Sequence, residues 1–246
     1  MERIHKARTE NWRLFFPKDQ IRAIAQSALM QPVGGPRPRP RIETLADLVF
    51  GLSLSIGSIA LIANPPKTTD EITTHILAFA YTFFVLITAW LIYTTYMSVL
   101  PHETRTVTFL NVGLLLLVAV VPYLLNGVEV VNPALTTPQA ISSIQDYSSA
   151  LFALDLGGIL TILATFAHVI SIEERKLVAP ELVQLFKNGR NRMVLLAVLV
   201  LASVAPQFWQ WTFLGVPIRL YLWYPPLISY WVGRVVNPVS RTYKLT

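Results

Sequence analysis

A bilayer core is about 30 Å thick, and a helix rising 1.5 Å per residue needs roughly 20 apolar residues to cross it. This chain supplies such a run repeatedly: Leu45–Ala63, Ile76–Leu100, Val107–Leu125, Ser149–Ile170, Met193–Trp211 and Val216–Val235. No other feature constrains the fold as strongly, and it predicts an all-α integral membrane protein with six transmembrane helices in a single unit. Hydrophobic residues make up 53% of the chain and charged residues 14%, against roughly 25% charged in an average soluble domain. A large water-facing domain is thereby excluded. The chain has no cysteine, which removes disulfides, thiolate metal sites and thiol nucleophiles.

The basic residues indicate orientation, because Lys and Arg collect on the cytoplasmic side of short loops. Before span 1, between spans 2 and 3, between spans 4 and 5, and from Arg234 onward lie 18 of the 20, leaving Lys67 and Arg219 on the other face. Both termini are therefore expected in the cytoplasm of a multi-pass protein of the cell (plasma) membrane. The net charge of +6 suits an anionic membrane lipid as partner. Nucleic acid is not an expected partner, because the cations follow topology and form no binding motif. No apolar stretch follows Met1, so no cleavable signal peptide is expected and span 1 would act as its own insertion signal.

Residues 1–40 read as a cytoplasmic basic tail, residues 41–235 as the six-helix membrane domain, and residues 236–246 as a cytoplasmic C-terminal tail. Within the first tail, Ile21, Ile24, Ala25 and Leu29 share one side of a possible interfacial helix over Asp19–Met30. The alternating prolines of Gly34-Gly35-Pro36-Arg37-Pro38-Arg39-Pro40 favour an extended linker. The segments Asn64–Thr74 and Asn126–Tyr147 form the outer loops, and no internal repeat is visible.

In span 1, Leu52, Ser55, Ile56 and Ile59 recur at i, i+3, i+4 and i+7 and so share one helical face. Periodicity alone leaves that face open to packing or to lining a pore. Gly51, Ser53, Gly57 and Ser58 lie elsewhere on the helix and permit close approach of neighbours. Asp47 heads the run, six residues after Arg41. A carboxylate near a membrane needs a partner or water, and an ion pair with Arg41 would supply one.

Asp155 lies inside span 4 beside Gly157-Gly158, where an intramembrane acid marks a candidate proton- or ion-binding group or a hydrogen-bonded helix contact. His168 reads as a packing or interface residue, and His75 and His102 fall at opposite faces, so no metal site is expected. Pro225-Pro226 predicts a kink in span 6. Phe208, Trp209, Trp211, Trp223 and Tyr224 read as an outer aromatic belt.

The run Arg41-Ile42-Glu43-Thr44-Leu45-Ala46-Asp47 resembles the Arg-x-x-x-Phe-Ser-Asp signature that opens the first helix of the transmembrane protein 175 family of potassium channels. Leu45 stands for Phe and Ala46 for Ser. Ala89-Trp90 is similar to the family's second helix. Asn111-x-x-Leu114-Leu115-Leu116 with Pro122-Tyr123 is similar to its third, and span order agrees from about Arg41 to Arg234. The resemblance implies a homotetramer whose first helices line a pore, with potassium as the permeating ion and no cofactor. It implies further that Leu52 forms the apolar constriction, Ser55 a hydroxyl layer, and Ile56 and Ile59 further apolar rings. Arg41, Asp47, Trp90, Asn111 and the residue three after Trp90 would form a polar network behind the pore. That last position holds His in the family and Tyr93 here; a phenol donates a hydrogen bond but does not protonate near neutral pH.

A potassium-permeable channel with a hydrophobic gate is thus the expected function. A proton- or ion-coupled transporter working through Asp155 and a nonconducting scaffold are the alternatives. A membrane enzyme ranks last, since no catalytic groups converge in the sequence.

Overall fold

The computed structural model describes residues 41–63, 66, 68–100, 105–129, 138–172, 180–205, 207–213 and 216–236. The proposed interfacial helix at Asp19–Met30, the linker and both tails lie outside them.

Five long helices come first: α1 (Arg41–Ala63), α2 (Thr69–Met97), α3 (Arg105–Glu129), α4 (Pro138–Ile170) and α5 (Pro180–Ala202). Each arises from an apolar run with a polar start. α2 begins at Thr68, whose side-chain oxygen accepts from the Glu71 N–H at 3.2 Å and satisfies one of the donors that a helix N-terminus leaves open. Segments Glu71–Met97, Arg105–Val128 and Gln145–Ile170 are long and apolar enough to cross a membrane, and α1 adds a shorter apolar stretch, Thr44–Ile59.

The end of the chain departs from the expected sixth span. After α5 come a one-turn helix α6 (Gln207–Gln210), an antiparallel pair of short strands β1 (Thr212–Phe213) and β2 (Val216–Pro217), a one-turn helix α7 (Ile218–Tyr221), and α8 (Tyr224–Val236). Val216–Val235 is therefore not one helix. Pro225 and Pro226 sit in the first turn of α8, where no intrahelical N–H is required, so they start the helix and do not kink its middle. At 13 residues α8 is about 20 Å long, short of the hydrocarbon thickness. Span 5 is displaced toward the N-terminus, since α5 covers Pro180–Ala202 and not Met193–Trp211.

α4 is the hub, packed against α5 on one side and α3 on the other, while α1 leans on α3 and α2. Its two adjacent glycines let both neighbours come close. A Cβ on Gly157 would lie 2.6 Å from Leu201 Cγ on α5, and one on Gly158 would lie 2.9 Å from Leu117 Cδ1 on α3. The core runs along this sandwich through Leu114, Val118, Phe152, Ile159, Leu163, Phe166 and Val200. Without water in a bilayer, such packing and the fit of small residues hold helices together.

Candidate functional site

α1 has two unlike faces. Ala46, Phe50 and Ser53 are buried against α2 and α3, whereas Leu45, Leu48, Leu52, Ser55, Ile56 and Ile59 are left uncovered by the chain. Leu52 is 57% exposed and Ile59 59%, so the stripe predicted from spacing is a continuous open face. The serines divide along the same line. Ser53 is buried and donates to Val49 O at 2.8 Å. Ser55, on the open face, donates to Gly51 O at 2.9 Å. That bond uses the hydroxyl proton and leaves the exposed oxygen able only to accept, which suits a cation better than an anion. Gly57 does serve close packing, since a Cβ there would meet Phe79 and Pro122 at 3.8 and 4.0 Å. Gly51 does not: it is exposed, with nothing among the described residues within 4 Å of a Cβ, which corrects its assignment to helix contact.

Next to this face sits a polar anchor. Trp90 Nε1 on α2 donates to Asp47 Oδ1 on α1 at 2.9 Å, a bond strengthened by the carboxylate charge. One helical turn onward on α2, Tyr93 is buried and its ring lies 5.9 Å from that of Phe50. The two signature residues on α1 that depart from the family pattern fall in opposite environments. Ala46 is fully buried, a place where a hydroxyl would need a partner, and Leu45 lies on the open face. The side chain of Arg41 lies outside the described residues, so the expected Arg41–Asp47 pair is not seen, and Trp90 is the partner Asp47 shows. Asn111 sits on α3 in the buried row Val107, Asn111, Leu114, Val118 and Val121, and its Oδ1 has no hydrogen-bond partner among the described residues.

Asp155 is apart from this group. It is 5% exposed on α4, and its Oδ2 has no hydrogen-bond partner among the described residues. Among those residues no cluster of three His, Cys, Asp or Glu could hold a metal.

Two features escaped the sequence reading. Arg219 on α7 is buried and forms an ion pair with Asp146 of α4. The available signal was a lone cation among Ile218, Leu220 and Tyr221, but its partner lies 73 residues away. Trp223 is not part of an exposed belt: it is 4% exposed, its ring centroid lies 4.7 Å from that of Phe152, and its Nε1 donates to Ser203 Oγ at 3.1 Å. A buried indole needs an acceptor for its N–H, and Ser203 at the end of α5 provides it.

With this geometry in place, the likeness to known proteins can be located on the chain. The model of a family described as "Endosomal/lysosomal potassium channel TMEM175" matches residues 41–122. That is α1, α2 and most of α3, the part that carries the signature, the anchor and the open face. Beyond Pro122 the similarity is one of fold. A crystal structure of a lysosomal potassium-selective channel TMEM175 homolog from Chamaesiphon Minutus superposes with a TM-score of 0.52 at 16% identity, covering 79% of this chain and 96% of that one. No curated protein matches. The resemblance to the transmembrane protein 175 family is therefore shown, in sequence over the first three helices and in fold over most of the chain.

Proposed function

We propose that the chain forms a potassium-permeable cation channel, a homotetramer in the cell membrane with α1 from each copy facing a central pore. The observation that carries this reading is the open face of α1. Apolar side chains at Leu52, Ile56 and Ile59 stand uncovered, with the Ser55 acceptor among them, while the opposite face is packed against α2 and α3 and pinned by Trp90 and Asp47. The match of residues 41–122 to a potassium-channel family supports the choice of function.

In this reading Leu52 forms the gate. A ring of leucines narrow enough to exclude water leaves an ion no hydration, so conduction requires the ring to widen. Ser55, Ile56 and Ile59 continue the lining, and the Ser55 oxygens replace part of an ion's water shell. Asp47 lies at the cytoplasmic end, where its charge favours cations, and its bond to Trp90 holds the start of α1 against α2. Arg41, Tyr93 and Asn111 complete the supporting network. Residues 1–40 and 236–246 are cytoplasmic tails in the orientation that the basic residues favour. The permeating potassium ion is cargo, and no cofactor takes part.

A second reading rests on Asp155, a buried carboxylate in the middle of α4 whose Oδ2 has no hydrogen-bond partner among the described residues. Intramembrane acids of this kind carry protons in pumps and transporters. Liposome flux separates the two: a channel carries potassium passively and gains flux when Leu52 is shortened, whereas a proton-coupled transporter loses flux when Asp155→Asn removes its acid.

A further inference from the structure

Between α4 and α5 runs a groove of about 290 Å³, close to the lower end of ligand-pocket volumes of roughly 300–1,000 Å³. Its walls are apolar, formed by Ala164, Val194, Ala197, Val198 and Leu201. The two threonines in it offer no spare proton: Thr161 donates to Gly157 O at 2.7 Å and Thr165 to Thr161 O at 2.8 Å. From Arg190 to Leu201 the groove follows α5 for 11 residues, about 16 Å, which is close to half of a hydrocarbon core roughly 30 Å thick. That length is close to the thickness of one leaflet.

The mouth is chemically different. There Arg190 Nη1 lies 3.2 Å from His168 Nδ1. A guanidinium can only donate, so Nδ1 accepts and the ring proton resides on Nε2, which is left as a donor. Arg190 Nε and Nη2 both donate to Asn191 Oδ1, at 3.0 and 2.9 Å. These bonds fix the guanidinium and leave one N–H on each terminal nitrogen without a partner among the described residues. Those same residues place no carboxylate on Arg190. A pre-positioned cation at one end of a leaflet-deep apolar slot matches a molecule with an anionic head and a long hydrocarbon tail.

We propose that this groove is a binding site for an anionic phospholipid, its phosphate held by Arg190 and His168 and one acyl chain lying along Val194, Val198 and Leu201. With the N-terminus cytoplasmic, the head sits at the inner face, where anionic lipid and basic residues attract each other. The inference rests on the membrane placement of α4 and α5, not on conduction through α1.

Native mass spectrometry of the purified full chain, titrated with dioleoyl phosphatidylglycerol or dioleoyl phosphatidylcholine, tests it. The wild type is expected to bind one phosphatidylglycerol per chain, about five- to tenfold more tightly than phosphatidylcholine. Arg190→Gln should remove that preference, and Val198→Trp, which fills the slot, should weaken both lipids. Millimolar inorganic phosphate should leave lipid binding unchanged. Equal affinity for the two lipids in the wild type, or wild-type binding by both variants, would overturn the site. Competition by phosphate alone would make it an anion site without a lipid tail, and a changed oligomeric mass in Val198→Trp would make it a contact between copies; either result also overturns it. If Arg190→Gln does not fold, Arg190→Lys replaces it, expected to keep the preference but weaken it. Potassium flux from the same preparations is read separately, so selective lipid binding without flux refutes the channel alone, and flux without selective binding refutes the lipid site alone.

Discussion

Replacing Trp90 by Phe keeps an aromatic ring between α1 and α2 but removes the N–H that reaches Asp47 at 2.9 Å. A hydrogen bond to a charged group contributes about 1.5–3 kcal/mol when buried. Asp47 is exposed, so water competes for its oxygens and the contribution falls to about 1 kcal/mol. For a chain of this length, each kcal/mol corresponds to roughly 2–4 °C in melting temperature. Trp90→Phe is thus expected to lower the melting temperature in detergent by about 2–4 °C. Asp47→Asn keeps a carbonyl acceptor and should lower it by less, while Asp47→Leu should lose the bond entirely. The double variant Trp90→Phe with Asp47→Leu isolates the pair: once one partner is gone, removing the other should add almost nothing, giving a coupling of about 1 kcal/mol. Strictly additive shifts, with coupling below about 0.3 kcal/mol, would show that the bond does not pin α1 to α2.

Other perturbations test the packing around the site. Gly157→Val is expected to cost about 1–3 kcal/mol by overpacking, because even a Cβ would sit 2.6 Å from Leu201 Cγ, and it should reduce yield of folded protein on size-exclusion chromatography. Asp146→Leu leaves the buried Arg219 without its carboxylate and should destabilise by about 2 kcal/mol, the lower range for a pair of which one member is partly exposed; Asp146→Glu should restore most of the loss in thermal melts. Trp223→Phe strands no group but removes the bond to Ser203, and about 1 kcal/mol of destabilisation is expected, with near-ultraviolet circular dichroism reporting loss of the Trp223 signal.

The parts of the fold that could be read from sequence are those that depend on local pattern. Length and hydropathy mark α2, α3 and α4 because a bilayer demands both, and the i, i+3, i+4, i+7 spacing of Leu52, Ser55, Ile56 and Ile59 places them on one face of any helix. The end of the chain was misread because hydropathy does not register where a helix must begin. Val216–Val235 is largely apolar, with Arg219 and Arg234 as its charges, yet β2, α7 and the prolines that open α8 divide it. Trp223 was misassigned for a related reason. An indole suits an interface or a core equally well, and only the arrival of Ser203 from α5 decides between them. The Arg219–Asp146 pair and the α4–α5 groove depend on contacts between distant segments, which no local spacing encodes. At the candidate site, Asp47 and Trp90 were expected to share a network through their likeness to a known signature, and their bond is present; Tyr93 packs beside them on Phe50.

Conduction through α1 is tested most directly by potassium flux into liposomes holding the full chain, measured for the wild type beside Leu52→Ala and Ser55→Ala. Passive potassium flux is expected in the wild type. Flux should rise several-fold in Leu52→Ala, where a smaller side chain admits water to the narrowest ring, and selectivity for potassium over sodium should fall in Ser55→Ala. Absence of flux in both the wild type and Leu52→Ala, with each protein folded and inserted, would contradict it and leave the open face of α1 as a surface for packing.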